Sequence, residues 1–233
     1  ECTWTYVTCN SPIAVIPIVN GNAFGTPQIV ATNSDPEYYN YYPTWAPDGK
    51  WIAFQSAKKV YNGISVNPKS LGNSNGVVRL VPVDGGSHTC PGPSCFELTL
   101  GTQYSPDEAL AGTGKRSTWP KFSPFAQGTD GNIMFITLTS RVDYGFLAAG
   151  GLAKPSQLWM FAIDVSKTGQ GDASYAPIWL PYQDYADASL TPVWAETLPC
   201  QVDPSGGCSG CVAGEECSVS ADNQCECRAV VVK

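Results

Sequence analysis

An Asp-Gly pair set between two apolar runs narrows the folds open to this chain more than any other feature. It first occurs in "YPTWAPDGKWIAFQS", residues 42–56, and returns in "WPKFSPFAQGTDGNIMFITLTS", residues 119–140. Glycine reaches positive φ without steric cost, so Asp-Gly between strand-like runs predicts an antiparallel hairpin. A third, shorter copy is "TPVWAETLP", residues 191–199, in which Glu196 replaces the second proline and no Asp-Gly follows. Pro43, Pro120 and Pro192 correspond, 77 and 72 residues apart, and each is followed two positions on by Trp45, Phe122 or Trp194.

A second pattern alternates with the first. "VVRLVPVDGG" (77–86) matches "QLWMFAIDVSKTG" (157–169), each predicting a strand ending at Asp84 or Asp164. "IAVIPIVNG" (13–21) reads as a further copy with Asn20 in the acid's place, and "CFELTL", "APIWLPY" and "TPQIVATNS" each read as a closing strand. One unit is therefore four short strands, and a four-stranded sheet repeated along a chain is the mark of a propeller blade. A chain with 23 Gly, 19 Pro and only 14% charged residues suits short strands and many turns better than helices. An ordinary antiparallel sandwich with one chance hairpin is the competing architecture.

"PTWAPDGKWIAFQS" followed by "RLVPVDGG" resembles the TolB-type β-propeller repeat, closely in the first copy and more loosely in the second, where "FAQGT" is inserted. The resemblance covers about residues 12–198 and implies an all-β partial propeller of four-stranded antiparallel blades. About three blades can be counted, fewer than the four a closed ring needs, so the chain is expected not to close alone. Remaining blades of the same precursor, or a second copy, would complete it. The repeats are long because "AKKVYNGISVNPKSLGNSNG", "SHTCPGPSC", "GTQYSPDEALAGTGKRS" and "SRVDYGFLAAGGLAKPS" read as extended loops.

The ten cysteines fall in local groups: Cys2 and Cys9, Cys90 and Cys95, then Cys200, Cys208, Cys211, Cys217, Cys225 and Cys227. Such pairs predict disulfides made in an oxidising compartment, placing the protein in a periplasm, at a cell surface or outside the cell. The division expected is a propeller segment over 1–199 and a small disulfide-rich C-terminal module over 200–233. The latter's "GCSGCVAGEECSVSADNQCEC" is similar to small EGF-like or knottin-like cystine modules. Zinc is the weaker alternative, since Cys225-x-Cys227 is tight for a zinc knuckle. The chain opens on "ECTWTYVTC" without a basic start and apolar core, which reads as a mature or trimmed chain.

A net charge of −7 with 13 scattered basic residues argues against nucleic acid, and no apolar run is long enough for a membrane-spanning helix. One histidine, His88, would have to serve any Ser-His-Asp or Cys-His catalyst within the chain, and it reads as a turn residue. No nucleophile elbow occurs, and "GTGKRS" has Arg116 where a phosphate loop needs Ser or Thr. No cofactor is expected, with channel-bound calcium the only candidate. The expected binding residues lie on a channel rim just before each first strand: Asn40, Tyr41, Arg116, Trp119, Asp187 and Ser189. The run "EYYNYYPTW" adds aromatic surface for a peptide, a glycan or a protein partner. The resemblance implies a non-catalytic interaction platform in an envelope or secreted assembly. It also leaves open an accessory or catalytic propeller of a secreted peptidase or lyase.

Overall fold

A computed structural model describes residues 11–58, 60–61, 66–67, 75–102, 115–127, 130–141, 156–184, 187–194, 201–202, 208–209, 215–219 and 225–229. By contacts the chain divides into two units, Glu1–Trp194 and Ala195–Lys233. The first unit begins with β1 (Ile13–Val15), β2 (Ile18–Val19), β3 (Ala23–Phe24), β4 (Gln28–Asn33), β5 (Tyr38–Trp45) and β6 (Trp51–Lys58). It continues with β7 (Val60–Tyr61), β8 (Val66–Asn67), β9 (Asn75–Pro82), β10 (His88–Cys90), β11 (Phe96–Glu97) and the single turn α1 (Thr99–Thr102). Then come β12 (Lys115–Arg116), β13 (Thr118–Gln127), β14 (Ile133–Ser140), β15 (Gln157–Asp164) and β16 (Ile178–Trp179).

The two repeats fold into the same object. Strands β5, β6, β9 and β11 pair in that order, and β13, β14, β15 and β16 do likewise, so each repeat is a four-stranded antiparallel meander. Strand β12 adds to the first of them by pairing with the start of β9. The Asp-Gly pairs sit in the hairpins that join the first two strands, with Gly49 and Gly131 at φ 69° and 66°. In the second repeat the insertion lengthens this hairpin: β14 begins opposite Gln127, and β15 runs through to Asp164. In the first, β9 stops at Pro82 opposite Trp51, two residues short of the expected Asp84.

The N-terminal pattern departs from its expected form. Pro17, without an N–H, breaks "IAVIPIVNG" into β1 and β2, and β2 turns aside into a small hairpin with β3. Strand β1 pairs with β4, and β10 adds parallel to β4, so part of the "SHTCPGPSC" loop is a strand of this leading sheet. The third copy makes no strand over 191–194, and the closing strands of the two full repeats, β11 and β16, shrink to two residues each, while that of the N-terminal pattern, β4, keeps six.

Side-chain alternation then stacks the sheets. The first four-stranded sheet turns Ile52, Phe54 and Val81 toward Ile13, Val30 and Ala31 of the leading sheet. Its other face, with Ala53, Val78 and Leu80, packs against Phe122, Ile136, Leu138, Trp159 and Phe161 of the second. Fully buried aliphatic and aromatic side chains each contribute about 1.5–3 kcal/mol, so this second cluster dominates the stability of the unit. Turn α1 lies against it so closely that a Cβ on Gly101 would come 2.4 Å from Phe161.

The second unit contains two strand pairs, β17 (Gln201–Val202) with β18 (Cys208–Ser209) and β19 (Glu215–Val219) with β20 (Cys225–Ala229). Cys217 stands opposite Cys227 in the second pair, and Cys225 is disulfide-bonded. No helix among the described residues is long and apolar enough to cross a membrane.

Candidate interaction surface at the first-strand bulges

Each first strand carries the same irregularity. Between Tyr41 and Thr44 the register slips so that Tyr42 and Pro43 together face Phe54; between Thr118 and Lys121, Trp119 and Pro120 together face Leu138. Two residues opposite one is a β-bulge, which bends the strand and re-aims a side chain. The residue before proline takes up the slack in a left-handed conformation: φ is 52° at Tyr42, 50° at Trp119 and 51° at Thr191. A bulky residue pays about 1–3 kcal/mol to sit there. The third repeat keeps this backbone signature at Thr191–Pro192 although it makes no strand.

The bulges bring aromatic rings together. Tyr42 packs on Trp119 across the two repeats at 5.4 Å between centroids, and Tyr41 lies 6.0 Å from Tyr42 and 6.3 Å from Tyr39. Tyr41, Tyr42 and Trp119 are each only partly exposed, so the row is a band of edges and faces rather than a free-standing loop. The Tyr41 hydroxyl is buried without a hydrogen-bond partner. Burial, and after it the Tyr39 and Tyr42 phenols, push its pKa up to about 12.

The expected rim residues separate into two groups. Asn40, Tyr41 and Trp119 lie inside first strands rather than before them, because β5 and β13 begin earlier than the proline pattern indicates. Asn40 is buried, and its Oδ1 accepts from Asn33 Nδ2 at 3.0 Å. Asp187 is exposed; its carbonyl accepts from Gln157 Nε2 at 2.7 Å, and Ser189 N–H donates to the Ser156 carbonyl at 2.7 Å. Trp194 Nε1 donates to the Lys121 carbonyl at 3.2 Å, so the third copy seats on the second sheet's first strand. The backbone of Arg116 pairs with Gly76, while its side chain lies outside what is described.

Sequence reasoning missed a polar cluster on the leading side of the first sheet. Arg79 is 3% exposed, and its Nη1 donates to Asn33 Oδ1 at 3.0 Å and Ser56 Oγ at 2.9 Å. Its guanidinium lies 5.1 Å from the Tyr38 ring centroid. Burial lowers its pKa, opposed by Glu97, which stands directly across from it, and by Tyr38. The signal was present: Arg79 is the one charged residue in "VVRLVPV", a strand apolar on both faces.

Other chemistry is sparse at these positions. His88 lies in β10, and its Nε2–H donates to the Asp84 carbonyl at 3.0 Å. Among the described residues no group of three or more His, Cys, Asp or Glu side chains is placed to hold a metal. Cys90 and Cys95 are bridged, with Cα atoms 5.3 Å apart. Cys2, Cys9, Cys200 and Cys211 lie outside the described residues, and of Cys208, Cys217 and Cys227 only the strand backbone is described. Comparison of the chain with known protein families, with curated proteins and with solved structures gave no match.

Proposed function

We propose that this chain is a segment of a TolB-type β-propeller whose four-stranded sheets are blades, and that it acts as a non-catalytic platform for a protein partner in an exported assembly. The observation that carries the reading is the pair of matched bulges, which puts Tyr42 of one sheet against Trp119 of the next. In a radial arrangement first strands line the centre, so residues re-aimed at this level would present an aromatic band to an entering segment. Large, stiff aromatics give contact area at low entropic cost, which is why they anchor interfaces. The Cys90–Cys95 bridge agrees with an oxidising compartment.

The test is selection of peptides from a displayed library on the purified chain, followed by titration. Enriched peptides should bind with affinity that falls at least tenfold in Tyr42→Ala and in Trp119→Ala, a loss of about 1.4 kcal/mol or more. Unchanged binding in both variants would sink the reading. The same row of rings also suits stacking on sugars, so a glycan array probed with the same two variants separates a peptide platform from a carbohydrate one.

A further inference from the structure

The two four-stranded sheets have the same strands but not the same surroundings. With the bulges as anchor, Val78, Leu80 and Phe96 of the first sheet occupy the places of Leu158, Met160 and Ile178 in the second. Val78 and Leu80 are fully buried under the second sheet, and Phe96 packs against the same cluster. Leu158 and Met160 are half-buried, and Ile178 is 55% exposed. Strand β9 is buried from Gly76 through Val81, whereas its counterpart β15 alternates buried and half-buried positions. Alternation of that kind marks a sheet covered on one face, and the uncovered positions of such a sheet are ordinarily polar. Here they are Leu158, Met160, Ala162 and Ile178, on β15 and β16. Across the ladder on the same face Thr137 and Thr139 of β14 are buried, so the open part is the side of the sheet toward β16.

The leading end of the unit is open in a complementary way. The outer face of the leading sheet carries Ala14, Ile29 at 47% exposure, Thr32 and Thr89, neutral and small enough to be packed upon. Trp45, at 51% exposure, is uncovered on the first strand, on the face it shares with Ile52 toward the leading sheet. One end thus offers a face that in the neighbouring repeat is covered by a sheet. The other offers a sheet whose outer face has nothing packed on it among the described residues.

We propose that the open part of this face of the second sheet, on β15 and β16 around Met160 and Ile178, is an interface for the leading sheet of a second copy of this chain, docked head to tail. Such a contact is heterologous, and two copies joined this way close on themselves if the rotation per copy allows it. The inference rests on the sheet repeat and not on the peptide-binding reading.

Light scattering behind size exclusion should give a particle of twice the 24.8 kDa chain mass. Ile178→Asp and Ile29→Asp, both at exposed positions, should each raise the dissociation constant at least a hundredfold and give monomers with unchanged circular dichroism. An equimolar mixture of the two variants should recover a two-chain particle, because one retains a sound leading sheet and the other a sound trailing face. A monomeric parent chain overturns the proposal, as does a dimer indifferent to either substitution. A mixture that stays monomeric shows that the two substitutions do not strike opposite halves of one contact and overturns it too. Trp119→Ala should leave the particle mass unchanged, which keeps this outcome separate from failure of the peptide site.

Discussion

At corresponding places the first sheet sets Arg79 across from Glu97, while the second sets Trp159 across from Trp179. Around Arg79 stand Asn33, Asn40 and Ser56, whereas around Trp159 stand Leu138, Phe161 and Ile163. One backbone thus supports a polar junction on its leading face in one repeat and an apolar junction in the next. The strand pairing is the same in both, so the hydrogen-bond ladder and the bulge define the sheet, and the identity of the packed face is free to vary. What varies with it is energetic character. The apolar junction draws on burial that tolerates small shifts, while the polar one depends on a set of directional bonds around a desolvated cation.

The largest effect should come from emptying the apolar junction. Trp159 is 2% exposed and borders a small cavity lined by Gly101, Thr102, Ser117, Leu138, Ser140 and Pro177. Trp159→Ala enlarges that cavity in a cluster built from strands of both sheets, and should cost about 3–5 kcal/mol in urea-induced unfolding. A cost near 1 kcal/mol would mean that the second sheet does not rely on this cluster.

The polar junction should respond differently. Arg79→Met keeps most of the stem but removes the donor to Asn33 and Ser56 and leaves Glu97 without its opposing cation, at a cost of about 1–3 kcal/mol. Adding Glu97→Leu should cost less in that background than in the wild type, because the attraction between Arg79 and Glu97 across the paired strands is already lost. In a double-mutant cycle the two costs should therefore fall short of additivity. Strict additivity would show that Arg79 is held by its neutral partners alone and that Glu97 plays no part.

The strands of these two junctions were legible in the sequence for the same reason that their difference was not. Proline, Asp-Gly and alternating apolar residues act locally, so the four-strand order of both repeats could be read from "PTWAPDGKWIAF" and its echo. Asp84 and Asp164 correspond as their motifs indicate, but how far a strand extends toward them depends on the length of the adjoining hairpin, which is a pairing property. The bulge at Tyr42–Pro43 was hidden because the residue before a proline is normally extended, and only the ladder reveals two residues facing one. Asn40 and Tyr41 were read as rim residues on the assumption that the strand starts at the proline. Strand β10 was hidden because a three-residue strand from a loop is recruited by a sheet distant in sequence.

Tyr41 allows the smallest and most specific test, since its place in the second repeat is taken by Thr118, whose hydroxyl donates to Gln55 Oε1 at 2.6 Å. The Tyr41 hydroxyl has no such partner. Removing it in Tyr41→Phe should therefore leave stability at pH 8 unchanged or raise it by up to about 1 kcal/mol. The alkaline limb adds a signature that a packing change would not give. An unfolded tyrosine ionises near pH 10, while Tyr41 in the folded chain holds its proton until about 12. Above pH 10 the unfolded chain gives up a proton that the folded chain keeps, so the folded state loses ground as pH rises from 10 toward 12. The ring is partly solvated, and screening reduces the effect to about 1 kcal/mol at pH 11. Since every other side chain is common to both proteins, the quantity to measure is the difference between wild type and Tyr41→Phe in urea midpoints at pH 8 and pH 11. That difference should grow in favour of the phenylalanine variant at pH 11. A constant difference would place the hydroxyl in contact with solvent and remove the contrast with Thr118.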